Sequence, residues 1–368
     1  MTTVPFNALA VQDSTLRDEI LAAIARVVER GRFILGDEVA AFESEMAASL
    51  GARHAVGVAS GTDAIRLALE AAGVAAGDEV LTSSHTATFT ALAISMLGAK
   101  PTFADIEPAA MTLDPARLEA AITPRTRAIV PVHLYGQAAD LDPILEIARR
   151  RGLALIEDCA QAHGALYRGR ALGTFGEASA FSFYPTKNLG AYGDGGMVVT
   201  SDGAIAERVR RLRNGGQADR YRHVDLGVNS RLDELQAAIL RVKLRHLESA
   251  IAERRALAAR YDAALTGVTL PRELPGRRHA YHLYAVRHPR RDALLRHLAD
   301  AGVGSLVHYP IPVHLQPAYA HLGIGPGSLP ETERAAAEVL SLPLYPGLTS
   351  AQQQAVFEAV NAFTAVHA

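Results

Sequence analysis

"HAVGVASGTDAIRLALEAAG", residues 54–73, joins a short β-prone apolar run to a helix-patterned one through the small turn Ser60-Gly61-Thr62. One such unit is common; its repetition decides the architecture. "DEVLTSS" (78–84), "PTFADI" (101–106), "RAIVPVH" (127–133), "LALIEDC" (153–159), "ASAFSFY" (178–184) and "GGMVVTS" (195–201) follow, with helical stretches such as "DLDPILEIARRRG" (140–152) between them. Strands that alternate with helices build a mostly parallel sheet wrapped on both faces. Runs this short and this apolar are what a sheet buried on both sides requires. The expectation is an α/β fold with a large doubly wound sheet.

From about residue 230 the pattern changes to a long, charge-laced helical segment, "SRLDELQAAILRVKLRHLESAIAERRALAARYDAAL" (230–265), and then to a smaller mixed region closed by the helix "AQQQAVFEAVNAF". The spacing predicts a large α/β domain over 1–240 and a small C-terminal α/β domain over 241–368. The first thirty or so residues are expected to pack back onto one of them.

Bulk properties narrow the chemistry. With 368 residues, 49% hydrophobic and 21% charged, the chain has the composition of an ordinary globular protein, and a formal net charge of −2 gives no electrostatic reason to expect nucleic acid or an anionic membrane as partner. One cysteine, Cys159, forms no internal disulfide, which fits a reducing compartment. The N-terminus has neither a basic n-region nor an apolar h-region. A cytoplasmic location is expected, and no metal site.

In an open parallel sheet, chemistry collects at the carboxyl ends of the strands. Ser60, Gly61 and Thr62 stand at one such end, opening a helix whose free N–H groups suit a phosphate, although Ser at a helix start is usually a cap. Asp158 ends "LALIE"; a carboxylate there is costly unless something cationic meets it, and as a helix cap it needs no further role. Gln161 and His163 follow as polar contacts or plain loop residues. Ser182 and Lys187 sit in "FSFYPTKNLGAYGDGG" (181–196), where the lysine has no acidic neighbour along the chain. Taken jointly, a helix-start phosphate site, a carboxylate and a lone lysine on one sheet are the parts of a pyridoxal-phosphate site. The carboxylate keeps the pyridine nitrogen protonated, and the lysine holds the aldehyde as a Schiff base.

These residues also carry a resemblance. "GVASGTDAIRLAL", "VPVHLYGQAADLDPI", "IEDCAQAHGA", "AFSFYPTKNLGAYGDGGMVVT" and "GVNSRLDELQAAILRVKL" resemble, in order, the sugar-nucleotide aminotransferases of the DegT/DnrJ/EryC1/StrS family, and the similarity runs from about residue 32 to the final helix. It implies a fold-type-I pyridoxal-phosphate-dependent transferase with a sheet of the seven-stranded type, working as a homodimer with shared active sites. "HYPIPVHLQPAY" and "SLPLYPGL" are most similar to enzymes that aminate C-3 of a dTDP-linked 3-keto-6-deoxyhexose, with L-glutamate as the expected donor.

Position by position, the resemblance implies Lys187 as the Schiff-base lysine, Asp158 as the partner of the pyridine nitrogen and Gln161 beside the phenolic oxygen. Gly61, Thr62 and Ser182 become the phosphate cradle, and Asn229 an asparagine reaching the phosphate from the neighbouring subunit. Where many relatives carry an aromatic that stacks on the cofactor, this chain has Ala87 in "SSHTATFTALA", so His85 or Phe89 is expected to supply that face, His85 by preference. Tyr184 and Tyr309 resemble residues that contact the pyranose ring or its phosphates, and His308 and His314 are candidates beside them. Tyrosines also pack as core residues with a polar rim. Arg231 is a candidate grip for the donor carboxylate or a helix partner of Asp233 or Glu234. Relatives with histidine in place of the lysine dehydrate the sugar, and Lys187 argues against that branch. Amination at C-4, a UDP- or GDP-linked substrate, and a non-enzymatic regulator that binds sugar or cofactor remain the rival expectations.

Overall fold

The computed structural model describes residues 3–9 and 14–367. Seven strands form the central sheet: β1 (His54–Val58), β2 (Glu79–Ser83), β3 (Lys100–Ala104), β4 (Thr126–Val130), β5 (Ala154–Asp158), β6 (Ala178–Ser182) and β7 (Gly196–Thr200). Their spatial order is β1-β7-β6-β5-β4-β2-β3. The pairs from β6 through β3 are parallel, whereas β7 runs antiparallel to both β6 and β1. The reversal has a local cause. A parallel neighbour needs a crossover helix, and the segment 183–195 between β6 and β7 holds none.

Alternate residues of each strand feed two cores, as the period of two demands. Leu81, Ile129, Leu155, Phe181 and Val199 face one core, and Val80, Val130, Ile156, Ala180 and Val198 the other. Each fully buried large side chain among them contributes about 1.5–3 kcal/mol. The helices that cover the sheet include α2 (Asp37–Leu50), α3 (Gly61–Ala71), α4 (Phe89–Ser95), α5 (Leu141–Arg151), α6 (Gly203–Leu212), α7 (Glu234–Arg245) and α8 (Leu247–Ala264), and α1 (Ser14–Arg30) packs outside them on α7.

The start of α2 has no side-chain cap of its own. Buried Glu234, at the start of α7, supplies one from across the chain: its carboxylate accepts from the N–H groups of Gly36 (2.8 Å), Glu38 (3.0 Å) and Val39 (2.9 Å). A negative charge on a helix N-terminus satisfies orphan donors and the dipole together.

A second core gathers β8 (Tyr284–Arg287), antiparallel to β9 (Val339–Leu342), with helices α9 (Arg291–Asp300), α10 (Pro330–Glu338) and α11 (Ser350–His367) around it. Tyr261, Tyr284, Leu298, Leu340 and Val360 fill it. Helix α8 spans both cores: Ile251 belongs to the sheet's core and Leu257 and Tyr261 to the second. The sequence boundary at 240/241 falls inside α7, where helical periodicity runs on unbroken.

The expectation that the first thirty residues pack on one body is corrected. Ile20, Ala23 and Val27 of α1 lie on Ala238, Ile239 and Val242 of α7, while Val4 joins the second core. Val4 N–H donates to Gly302 O (2.9 Å) and its carbonyl accepts from Gly304 N–H (2.8 Å). Among the described residues, no helix is long and apolar enough to cross a membrane.

Candidate active site

A cavity of about 750 Å³ opens where the carboxyl ends of β5 and β6 and the start of α3 meet the second core. Ser60, Gly61, Thr62, Asp158, Gln161, Ser182, Tyr184, Lys187, His308 and Tyr309 all line it. Residues far apart in sequence are thus brought together.

At the start of α3, Ser60 is extended and its Oγ accepts from Asp63 N–H at 3.1 Å. The amides of Gly61 and Thr62 are left without an intrahelical acceptor, at the positive end of the helix. The one acid of this turn is occupied elsewhere, since Asp63 accepts from Ser230 Oγ at 2.7 Å. Gly61 is required by packing: a Cβ there would lie 2.6 Å from Ser182 Cβ. This close approach sets the Ser182 hydroxyl beside the helix terminus, a built place for a phosphate.

Asp158 ends β5 and is buried. Its Oδ2 accepts from Thr90 Oγ1 at 2.8 Å and its Oδ1 from Ala160 N–H at 3.0 Å. Burial pushes the carboxyl above its ordinary value, against the opposing pull of those two donors and of Lys187 and His133. A carboxylate so placed has capacity for a cation.

Lys187 lies in the loop after β6, its N–H bonded to Tyr184 O at 2.9 Å. Among the described residues, its amine makes no hydrogen bond and no ion pair. Burial lowers it to about 8, with Asp158 pulling the other way. At neutral pH on the order of a tenth of such amines are unprotonated, against well under a thousandth at the ordinary lysine value. Lys187 is therefore a nucleophile in waiting.

Gln161 acts as a bridge. Its Oε1 accepts from Tyr135 N–H at 2.7 Å, and its Nε2 donates to Tyr309 OH at 3.1 Å. Tyr135 OH in turn donates to the carbonyl of His308. His308 Nδ1 pairs with Ser341 Oγ at 3.0 Å, and burial, with Lys187 nearby, holds its imidazole down to about 4. Tyr184 stands at the mouth, half exposed.

Several expected residues lie elsewhere. His85 does not line the cavity; its Nε2 meets Tyr135 OH at 3.0 Å and its ring lies edge-on to Tyr135. The buried imidazole turns its Nε2 to the hydroxyl within reach. Ala87 and Phe89 form the wall on that side. His163 packs on Phe181 and Phe183, and His314 ties Ser84 (2.7 Å) to Glu333 (3.3 Å). Neither reaches the cavity. Asn229 is exposed and Arg231 donates to Asn214 Oδ1 at 3.1 Å, so neither lines the cavity of its own chain and the pairing of Arg231 with Asp233 or Glu234 is not formed.

His133, Glu157 and Cys159 form a buried cluster whose ligand atoms lie within 4.8 Å of one another. Its nitrogens and oxygens are already engaged. His133 Nδ1 accepts from Ala139 N–H, His133 Nε2 donates to Glu157, and Glu157 accepts further from the N–H groups of Gly173, Phe175 and Gly176. This is a hydrogen-bond network that braces the strand bearing Asp158.

Sequence reading missed Thr90, Arg254 and His282. Thr90 carried no signal. Arg254 did: on α8 it shares a face with Ile251, Ala258 and Tyr261, an arginine inside an apolar stripe.

The DegT/DnrJ/EryC1/StrS aminotransferase family matches the chain over residues 14–361. The dTDP-3-amino-3,4,6-trideoxy-alpha-D-glucose transaminase of Streptomyces venezuelae is 51% identical over 361 residues, 97% of this chain and 95% of its own length. A pleiotropic regulatory protein of Geobacillus stearothermophilus is 49% identical over 365 residues, 98% of each chain. Among solved structures, S. venezuelae DesV in complex with a ketimine intermediate superposes with a TM-score of 0.96 at 50% identity, covering 99% of both chains.

Proposed function

The chain belongs to the DegT/DnrJ/EryC1/StrS aminotransferase family, and from this membership and the groups in the cavity we propose that it moves an amino group from L-glutamate to the C-3 keto carbon of a dTDP-linked keto-deoxyhexose. The enzyme is a pyridoxal-phosphate-dependent aminotransferase of amino-sugar biosynthesis. We read the scaffold as fold-type I, and the protein as cytoplasmic, where buried Cys159 stays a thiol. The observation that carries the reading is a buried lysine with a lowered amine that shares one cavity with a buried carboxylate and a helix N-terminus.

These residues fit the cofactor. The amides of Gly61 and Thr62 and the Ser182 hydroxyl would hold the phosphate, Asp158 would face the pyridine nitrogen and keep its proton, and Lys187 would hold the aldehyde. When bound, pyridoxal phosphate supplies the carbonyl that carries the amino group and the ring that accepts electrons. The Lys187 amine, when not holding the aldehyde, would take the proton from the donor's Cα and return it at the carbon that receives it. With the keto sugar the same amine acts in the reverse sense. Tyr184, His308 and Tyr309 are the side chains we assign to the sugar nucleotide.

A panel of keto-sugar nucleotides with glutamate tests the assignment, the aminated carbon being read by NMR. Amination at C-3 of the dTDP-linked substrate is expected. Preference for a UDP- or GDP-linked substrate, or amination at C-4, would replace the substrate part of the proposal. Absence of keto-acid release with every acceptor would leave the regulator reading.

We also propose a homodimer that shares its sites. Asn229 is outside its own chain's cavity, and the segment before it exposes Tyr221 (79%) and Leu226 (95%), apolar surface suited to a second copy. Lys187→Ala and Asn229→Ala subunits, each with little activity alone, are expected to recover about a quarter of wild-type activity when mixed and exchanged, because one site of each heterodimer collects both defects and the other neither. No recovery after demonstrated exchange would assign Asn229 to its own chain.

A further inference from the structure

We propose that Arg254 is the receptor for a carboxylate of the amino donor, an anion subsite on the wall of the cavity contributed by α8; the inference rests on the aminotransferase reading. Arg254 lines the cavity and is only 6% exposed. A guanidinium stays charged, so burying one without a counter-ion is costly. No carboxylate of the described residues forms an ion pair with it. Glu253, its acidic neighbour on the chain, turns instead to the N–H of Gly347 at 2.6 Å.

The guanidinium is half satisfied, and the half is specific. Its Nη1 donates to the carbonyl oxygens of Leu344 (2.9 Å), Tyr281 (3.2 Å) and His282 (3.4 Å). Among the described residues, its Nε and Nη2 make no hydrogen bond. Those two nitrogens share one edge of the planar group, the edge whose parallel N–H bonds match the two oxygens of a carboxylate. Nη1 fixes the plane, and the opposite edge is left for a ligand.

Among the described residues the carboxylates of the cavity, Asp158 and Asp194, form no ion pair with Arg254. His282 also lines the cavity, and its Nδ1 is buried without a partner. Burial, Lys187 and Arg254, in that order, hold its imidazole well below the ordinary value, so both cations act on the space around it. Leu283, Leu342 and Leu344 supply apolar wall on the same side, which strengthens any ion pair formed there. A ligand that presents an amine toward Lys187 and a carboxylate toward Arg254 is an amino acid. Arg231, bonded to Asn214 outside the cavity, does not offer this geometry within its own chain.

The test separates the two half-reactions of the holoenzyme, each followed by the cofactor's visible absorbance. Arg254→Gln is expected to raise the half-saturating glutamate concentration about 10- to 100-fold, the range for bonds to a charged group. Half-saturation by the keto-sugar nucleotide on the amine-loaded enzyme should change less than about 2-fold, and Arg254→Lys should fall between, a point charge replacing a fork. Glutarate should raise the melting temperature of wild type and not of Arg254→Gln. An equal loss in both half-reactions would mean a scaffold role and overturn the proposal; a loss confined to the nucleotide sugar would assign Arg254 to the diphosphate and overturn it as well. Arg254→Lys serves if the glutamine variant does not fold. A wild type whose absorbance responds to no amino acid would overturn the aminotransferase reading itself.

Discussion

Lys187→Ala lowers turnover by at least about 10⁴-fold, the upper end of what one positioned acid–base group contributes, and leaves the fold intact. Among the described residues the amine makes no hydrogen bond, so its removal orphans none of them; it lines the cavity with Asp158 and with Gly61 and Thr62 at the start of α3. Lys243 provides an internal control. Burial brings it also to about 8, yet its Nζ donates to Gly190 O at 2.5 Å and lies over the ring of Tyr192, away from the cavity. A depressed lysine alone does not make a site; Lys187 is the candidate because it also lines the cavity with Asp158. Borohydride reduction and peptide mapping should therefore label Lys187 and spare Lys243. A label on Lys243 would sink the assignment.

The same geometry sets a pH dependence. Below about 8 the Lys187 amine of the cofactor-free protein is protonated and non-nucleophilic, and above it the amine is free. The rate at which added cofactor restores the visible absorbance should thus rise as pH passes upward through about 8 and then level off. A rate that kept climbing toward the ordinary lysine value would show that burial does not act on this amine.

Asp158→Asn loses about 10²- to 10³-fold in kcat, the cost of leaving a desolvated cation without its partner. Melting separates this from a capping role. Because burial raises the folded carboxyl above its unfolded value, its charged form costs stability at every pH above that unfolded value. The neutral amide removes this cost, so the cofactor-free variant should melt no lower than wild type. The stabilisation that cofactor adds should shrink, since binding energy to the native state is what raises the melting point. If Asp158 only capped the turn at Ala160, asparagine would serve as well and kcat would stay near wild type.

The parts of the molecule legible in the sequence are those whose causes are local. The β-α alternation of 54–200 predicted the doubly wound sheet, because a strand buried on both faces must be apolar throughout and a helix opening on Ser60-Gly61 must start there. Asp158 and Lys187 stood out because each is a charge at the end of an apolar strand, a cost visible without knowing the partner. The reversal of β7 was not read from the sequence, although the glycine-rich stretch before it holds no crossover helix.

What only the tertiary structure decided is which distant group meets which. The histidine preferred for the cofactor's face was His85, but Tyr135, far along the chain, takes its imidazole away. Nothing near Val4 announces Val303, nor does anything near Gly36 announce Glu234. Arg254 sits in an apolar stripe of a charge-laced helix, but only the fold shows that the stripe meets the cavity. The physical reason is the same in each case. Periodicity and capping are settled within a few residues of chain, whereas the partner of a buried polar group is settled by whatever the fold brings within hydrogen-bond reach.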